Sequence, residues 1–209
     1  GWAARHDLFV IADEVYRRIW FDAPPTSALS FDDHRERVVV IDSLSKTYSA
    51  CGLRLGFLIS RNQELMEKVE RLGQARLGAQ PLAQAVGEAA LRMPDSYYET
   101  IRQTYAGRVS RMVNALAAIE GVQAPRPAGA FYCMVELPID DADRFARFLV
   151  TDFRVEGESV VVAPGGGFYA DPASGKRQIR LAAVTEEASI RRAVDLLEQA
   201  LACYPHRTS

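Results

Sequence analysis

The stretch VVVIDSLSKTYSACGLRLG, Val38 to Gly56, decides the reading of this chain. Val38, Val39, Val40 and Ile41 form an unbroken β-branched run. Continuous rather than alternating hydrophobicity predicts a strand covered on both faces, as in a parallel sheet. Asp42, Ser43, Ser45 and Lys46 follow at once, and Arg54 stands eight residues beyond the lysine. Lysine is costly to bury and usually sits on a solvated surface. Lys46 is therefore either an ordinary loop lysine or one held in place to react.

Working outward, Leu8-Phe9-Val10-Ile11-Ala12 is a second short apolar run, ending in Asp13-Glu14-Val15-Tyr16. A third strand is predicted over roughly Leu55–Ile59. In open parallel sheets the carboxyl ends of the strands converge on one ligand crevice. That convergence gathers an acid, a phenol, a lysine, two serines and an arginine, and their chemistry points one way. A nucleophilic lysine forms a Schiff base with an aldehyde. An aldehyde cofactor with a pyridine nitrogen needs a carboxylate to keep that nitrogen protonated, so that the ring acts as an electron sink. Asp13 supplies the carboxylate and Tyr16 a hydrogen bond to a ring hydroxyl. Ser43, Ser45 and Arg54 are suited to a phosphate, the arginine through charge-assisted forked bonds. The inventory describes pyridoxal phosphate.

The remainder divides in two. Asn62 to about Leu77 reads as a helix with Leu65, Met66, Val69 and Leu72 on one face, and Pro81 opens another through Leu91. A long helix runs from Ser96 to about Ile119, with Gly121 as its stop. Beyond it, Gly129–Leu137 is strand-like, Asp141–Phe153 helical, and Ser159–Ala163 and Gln178–Ala183 are strands around a Gly/Pro-rich loop. Thr185 is predicted to cap a last helix through about Cys203. Residues 1–95 thus read as part of an α/β layer fold, 96–105 as a linking helix and 106–209 as a smaller α+β unit. A guanidinium at Arg180, within an apolar strand, needs a partner: an internal salt bridge or a bound carboxylate.

The bulk numbers exclude several classes. Among 209 residues the net charge is −2, which leaves no electrostatic footprint for nucleic acid. No apolar run approaches the length of a membrane span. Cys51, Cys133 and Cys203 are far apart without a C-x-x-C pair, and His6, His34 and His206 stand alone, so no metal site is expected and a reducing cytoplasm fits.

DEVY (Asp13–Tyr16), SLSKTYSACGLRLG (Ser43–Gly56), PAGAFY (Pro127–Tyr132) and IRLAAV (Ile179–Val184) resemble, in this order, the fold-type I aminotransferases of class I/II. The resemblance covers the chain as the C-terminal half of such an enzyme: the end of a large domain with a mostly parallel sheet, followed by a small α+β domain. It implies that Lys46 bonds the cofactor aldehyde and shuttles the substrate proton. It also implies that Asp13 pairs with the pyridinium, Tyr16 with the ring oxygen, and Ser43, Ser45 and Arg54 with the phosphate, while Arg180 binds the substrate α-carboxylate. The implied activity moves an amino group between an amino acid and a 2-oxo acid, in a homodimer, with Val162–Val184 most similar to aspartate aminotransferases. A C–S lyase or cyclopropane-carboxylate synthase would share Lys46, Asp13 and Arg180, and an aminotransferase-like effector domain of a transcription regulator is a further alternative. Because the family's chains are roughly twice this long, the chain is expected to be a fragment that self-associates, holds no ordered pyridoxal phosphate and is inactive alone. Gly165-Gly166-Gly167 matches no phosphate-loop pattern and reads as a flexible turn. Glu14 is expected to be structural, Tyr48 and Cys51 to be packing residues, and Arg71 and Arg76 to be solvated.

Overall fold

The first apolar run forms strand β1 (Val10–Asp13), preceded by a single helical turn, α1 (Trp2–Arg5), and the second forms β2 (Val38–Ser43). The computed structural model describes residues 1–208. β1 and β2 are parallel, with Val10 opposite Val38 and Asp13 opposite Ile41, so their polar carboxyl ends lie level. The third strand, expected over roughly Leu55–Ile59, is β3 (Gly56–Ser60), which runs antiparallel to β2 with Ser43 opposite Gly56, so the sheet is mixed. The connection explains why. Residues 44–55 contain one helical turn, α2 (Leu44–Thr47), and one 3-10 turn (Cys51–Leu53), with Ser49 and Arg54 at φ of 51° and 54°. These left-handed residues reverse the chain at the end of the sheet where it left. A parallel return needs a crossover of about a dozen residues or more, usually built on a full helix along one face.

Val38, Val39 and Val40 are buried, each side chain stabilising the unit by about 1.5–3 kcal/mol. Among the described residues β1 pairs with β2 alone, and Ile11 is 71% exposed. Helix α3 (Gln63–Ala75) starts where Asn62 accepts the Leu65 N–H at 2.8 Å, and α4 (Pro81–Leu91) starts at Pro81. α4 turns a small-residue face inward, with Ala83, Gly87 and Ala90 buried. A Cβ at Gly87 would stand 2.8 Å from Leu55 Cδ2, so the helix lies directly on the segment carrying Lys46. These elements and the first turns of α5 (Asp95–Ala117) make one compact unit, Gly1–Arg102.

A second compact unit extends from Gln103. Strand β4 (Tyr132–Glu136) pairs antiparallel with β6 (Gln178–Ala182), which also pairs antiparallel with β5 (Ala163–Pro164), in the order β4-β6-β5. Cys133, Val135 and Ile179 point inward and are buried. Buried with them are Val109, Met112 and Leu116 of α5, Phe145 and Leu149 of α6 (Ala142–Thr151), and Val194, Leu197 and Leu201 of α7 (Glu187–Cys203). The predicted strand Ser159–Ala163 reduces to the two residues of β5. Ser159 is diverted to donate its hydroxyl to the Leu149 carbonyl, and Val161 is 80% exposed. The predicted cap Thr185 lies one residue too early, since Glu186 occupies the N-cap position of α7.

Within this glycine-rich loop, Gly165 and Gly175 are close-packed. A Cβ at Gly165 would stand 2.7 Å from the Gln178 carbonyl oxygen, and one at Gly175 would stand 2.5 Å from the Gly165 backbone. Only glycine allows these two strands of loop to touch, and the contact sets the 3-10 turn Gly166–Phe168 beside β6.

Candidate active site

Lys46 occupies the single turn α2, directly after β2. Ser43 caps that turn, its Oγ accepting the Ser45 N–H at 3.3 Å, and Leu44 anchors it with 1% exposure. A serine N-cap followed by a buried leucine is sufficient local cause for a turn here. Lys46 is half-buried, its Nζ stands 5.8 Å from the centroid of the Tyr16 ring, and among the described residues it joins no ion pair with a carboxylate.

The antiparallel return of β3 collects the residues expected to hold phosphate. Ser43, Ser45, Arg54 and Gly56 line one cavity of about 430 Å³, together with Val15 and Asp42. A Cβ at Gly56 would press to 3.2 Å against the Asp42 carbonyl oxygen, so glycine keeps β3 close to Ser43. Arg54 directs Nη1 to the Cys51 carbonyl at 2.9 Å, which orients the guanidinium from its own turn. Asp42, which sequence reasoning did not single out, accepts the Ser43 N–H at 2.7 Å. Burial pushes its carboxyl above the usual range, against the lowering effect of that hydrogen bond and of Arg17.

Asp13 ends β1 as an exposed residue, and one carboxylate oxygen accepts the Val15 N–H at 3.2 Å. It therefore shapes the strand-end turn that carries the chain to Tyr16. Glu14 is structural in form: its Oε1 accepts the Ser27 hydroxyl at 3.1 Å and the Ala28 N–H at 2.7 Å, tying the strand end to the next 3-10 turn. Cys51 is exposed rather than packed.

Arg180 lies in the second unit, in the central strand β6, opposite Met134 of β4 and Ala163 of β5. Among the described residues no carboxylate pairs with it, so the internal salt bridge weighed from sequence is not its partner. Its guanidinium carbon stands 4.3 Å from the Tyr132 ring centroid and 4.4 Å from that of Phe168. Two aromatic faces thus hold the planar group while its N–H edges stay suited to an in-plane acceptor such as a carboxylate. Arg180 and Tyr132 line a cavity of about 450 Å³ that is otherwise largely apolar.

The sequence pattern of the family "Aminotransferase class I and II" matches residues 2–197. The chain belongs to that family. Among its aminotransferase relatives, the putative aminotransferase AatC of Rhizobium meliloti is 31% identical over 198 residues, covering 92% of this chain and 47% of that protein. The aspartate aminotransferase of Bacillus subtilis is 24% identical over 205 residues, covering 94% of this chain and 48% of that protein. Among solved structures, LysN, an α-aminoadipate aminotransferase from Thermus thermophilus complexed with N-(5'-phosphopyridoxyl)-L-leucine, superposes with a TM-score of 0.81 at 26% identity. That match covers 96% of this chain and 52% of LysN. The chain therefore spans about half the length of the aminotransferases it matches.

The aminotransferase family is pyridoxal phosphate-dependent, and the donor set suits that cofactor. A lysine without an acid partner stands beside a cavity lined by two serine hydroxyls and an arginine, which are donors for phosphate oxygens. No group of His, Cys, Asp and Glu among the described residues could hold a metal ion, and no described helix is long and apolar enough to cross a membrane.

Proposed function

We propose that this chain carries the lysine side of a pyridoxal phosphate site in an aminotransferase, which moves an amino group between an amino acid and a 2-oxo acid. The observation that carries the reading is the placement of Lys46 on a serine-capped turn beside the cavity shared by Ser43, Ser45 and Arg54. When bound, pyridoxal phosphate supplies an aldehyde that condenses with amines and a pyridine ring that accepts electrons.

The residues divide that chemistry among them. Ser43, Ser45 and Arg54 bind the phosphate by hydroxyl and guanidinium donors. The Asp13 carboxylate would accept the N–H of the ring nitrogen and so keep it protonated, and the Tyr16 phenol would donate to the ring oxygen. Lys46 Nζ is the nucleophile toward the aldehyde. With the cofactor bound, Nζ would also be the group placed to take the substrate α-proton as base and return it as acid. Arg180 holds the α-carboxylate, common to amino acid and oxo acid, and so serves both halves of the reaction. In this assignment residues 1–95 belong to the cofactor-binding large domain, 96–105 link the two domains, and 106–209 form the small domain.

We include a homodimer in the proposal. Leu72, Leu77 and Leu82, along α3, α4 and their connection, are 67%, 94% and 71% exposed, an apolar series suited to a second copy. The aspartate aminotransferase among the relatives favours a dicarboxylic amino acid as substrate. Aminotransferase names among the relatives favour amino transfer over the C–S lyase and cyclopropane-carboxylate synthase reactions.

Borohydride reduction, in the presence of pyridoxal phosphate, of the full-length aminotransferase proposed to carry this chain tests the reading. A pyridoxyl group is expected on the peptide containing Lys46, with amino transfer to a 2-oxo acid. Lys46→Ala is expected to lose both. An unlabelled Lys46 in the wild-type protein would overturn the assignment. Release of a thiol and ammonia without an oxo-acid acceptor would replace amino transfer with lyase chemistry.

A further inference from the structure

Three tyrosines surround the carboxyl end of the Lys46 turn. Tyr97 and Tyr98 sit in the first turn of α5, within the same compact unit as Lys46 although far from it in sequence. Tyr97 donates its hydroxyl to the Thr47 carbonyl at 3.3 Å. Thr47 is the last residue of α2 and 4% exposed, and a one-turn helix leaves its final carbonyls without helical partners. Tyr48, the next residue, stacks on the Tyr97 ring at 5.6 Å between centroids and 13° between planes. It meets Tyr98 edge-on, and the two phenol oxygens are 2.7 Å apart. Tyr98 is 6% exposed, and the Arg18 guanidinium lies over its ring at 4.5 Å. Ser43 thus fixes the amino end of the turn, and α5 fixes the carboxyl end.

We propose that Tyr97 and Tyr98 are positioning residues for Lys46, acting through the Thr47 carbonyl and the Tyr48 ring. The proposal rests on Lys46 being the cofactor lysine. Tyr97 acts on the Thr47 carbonyl, one position beyond the lysine, and Tyr98 on the Tyr48 phenol, two positions beyond, so both bear on the turn from which the lysine side chain starts. A group that reacts by addition and then moves a proton depends on that origin, because small displacements reduce the fraction of arrangements close enough to react. The stack restricts rotation of the turn about the strand, and the Tyr97 hydroxyl restricts its unwinding.

The test compares two ligands that share the phosphate and ring. Pyridoxal phosphate needs Lys46 to form its bond, whereas pyridoxamine 5'-phosphate has no aldehyde and binds without it. In Tyr97→Phe, which keeps the stack and loses the hydroxyl, bonding to Lys46 is expected to slow about two- to tenfold, the range of one hydrogen bond. Borohydride fixation against time measures this. Affinity for pyridoxamine 5'-phosphate is expected to stay within about a factor of two of wild type, below that range. Tyr98→Phe, a second conservative variant, is expected to give the same split, and Tyr48→Phe combined with it to add nothing further, because one hydroxyl pair is lost in both. Equal fixation rates in wild type and both single variants would overturn the proposal. So would a parallel loss of affinity for both ligands, which marks general damage to the site. A wild-type protein with no fixation at Lys46 would instead overturn the cofactor assignment beneath it.

Discussion

Arg180→Ala removes two separable things. The first is packing: the guanidinium lies over the rings of Tyr132 and Phe168, 4.3 and 4.4 Å from their centroids. At a half-exposed site each cation–π contact is worth about 0.5–1 kcal/mol, so unfolding free energy is expected to fall by about 1–2 kcal/mol. The second is the proposed carboxylate clamp. A forked, charge-assisted pair contributes about 2–4 kcal/mol net, which corresponds to about a 30- to 700-fold rise in Michaelis constant. The rise should be similar for amino acid and oxo acid, because both present the same carboxylate. An amine lacking that carboxylate should react equally poorly with wild type and variant. Phe168→Leu separates the two effects: it removes one ring and keeps the charge, so it should cost about half the stability and only a minor part of the affinity. Steady-state kinetics at a temperature well below either unfolding midpoint reads the result. Michaelis constants unchanged for both carboxylate substrates in Arg180→Ala would refute the clamp, whatever the stability shows.

Two further outcomes follow from packing and charge in the first unit. Burial raises the Asp42 pKa above 3.8, so the folded chain binds more protons than the unfolded chain in the window from about that value up to the raised pKa. Stability therefore falls as pH rises through that window and stays lower above it. Asp42→Asn keeps the acceptor for the Ser43 N–H and should remove this slope, leaving a variant more stable than wild type at neutral pH; urea titrations across acid pH would show no change if the carboxyl were unperturbed. Gly87→Ala places a methyl 2.8 Å from Leu55 Cδ2 and should destabilise by about 1–3 kcal/mol through displacement of α4 or Leu55, measured as a lowered denaturation midpoint. A midpoint equal to or above wild type would mean that the leucine yields freely.

Features governed by local chemistry were legible in the sequence. Asn62 and Asp141 cap the helices they precede, accepting the Leu65 and Arg144 N–H groups, and Pro81 begins α4, because a cap or a missing N–H acts within one turn. The group Ser43, Ser45, Lys46 and Arg54 was legible because its members lie on one short stretch. The direction of β3 was not: hydrophobicity marks Gly56–Ser60 as a strand but carries no sign for its sense, which the left-handed residues Ser49 and Arg54 decide. The aromatic partners of Arg180 were hidden for another reason. Tyr132 comes from a neighbouring strand and Phe168 from a loop pressed into place by Gly165 and Gly175, so the contact exists only after folding. The link from Tyr97 to Thr47 crosses 50 positions, and no periodicity in either segment points to the other.

The antiparallel return from β2 to β3 makes residues 44–55 a ruler. Its two fixed marks are Ser43 and Gly56, held opposite one another by the ladder. Lengthening the segment by one residue near the left-handed Ser49 would leave Lys46 attached to its strand while Arg54 either bulged away from Ser43 or dragged β3 one step along. A one-step slip turns every side chain of a strand to the other face, so Phe57 and Leu58 would exchange sides to accommodate it. Insertions in this segment should therefore be rejected even where its residue types are freely varied, and selection on length here should be stricter than selection on composition.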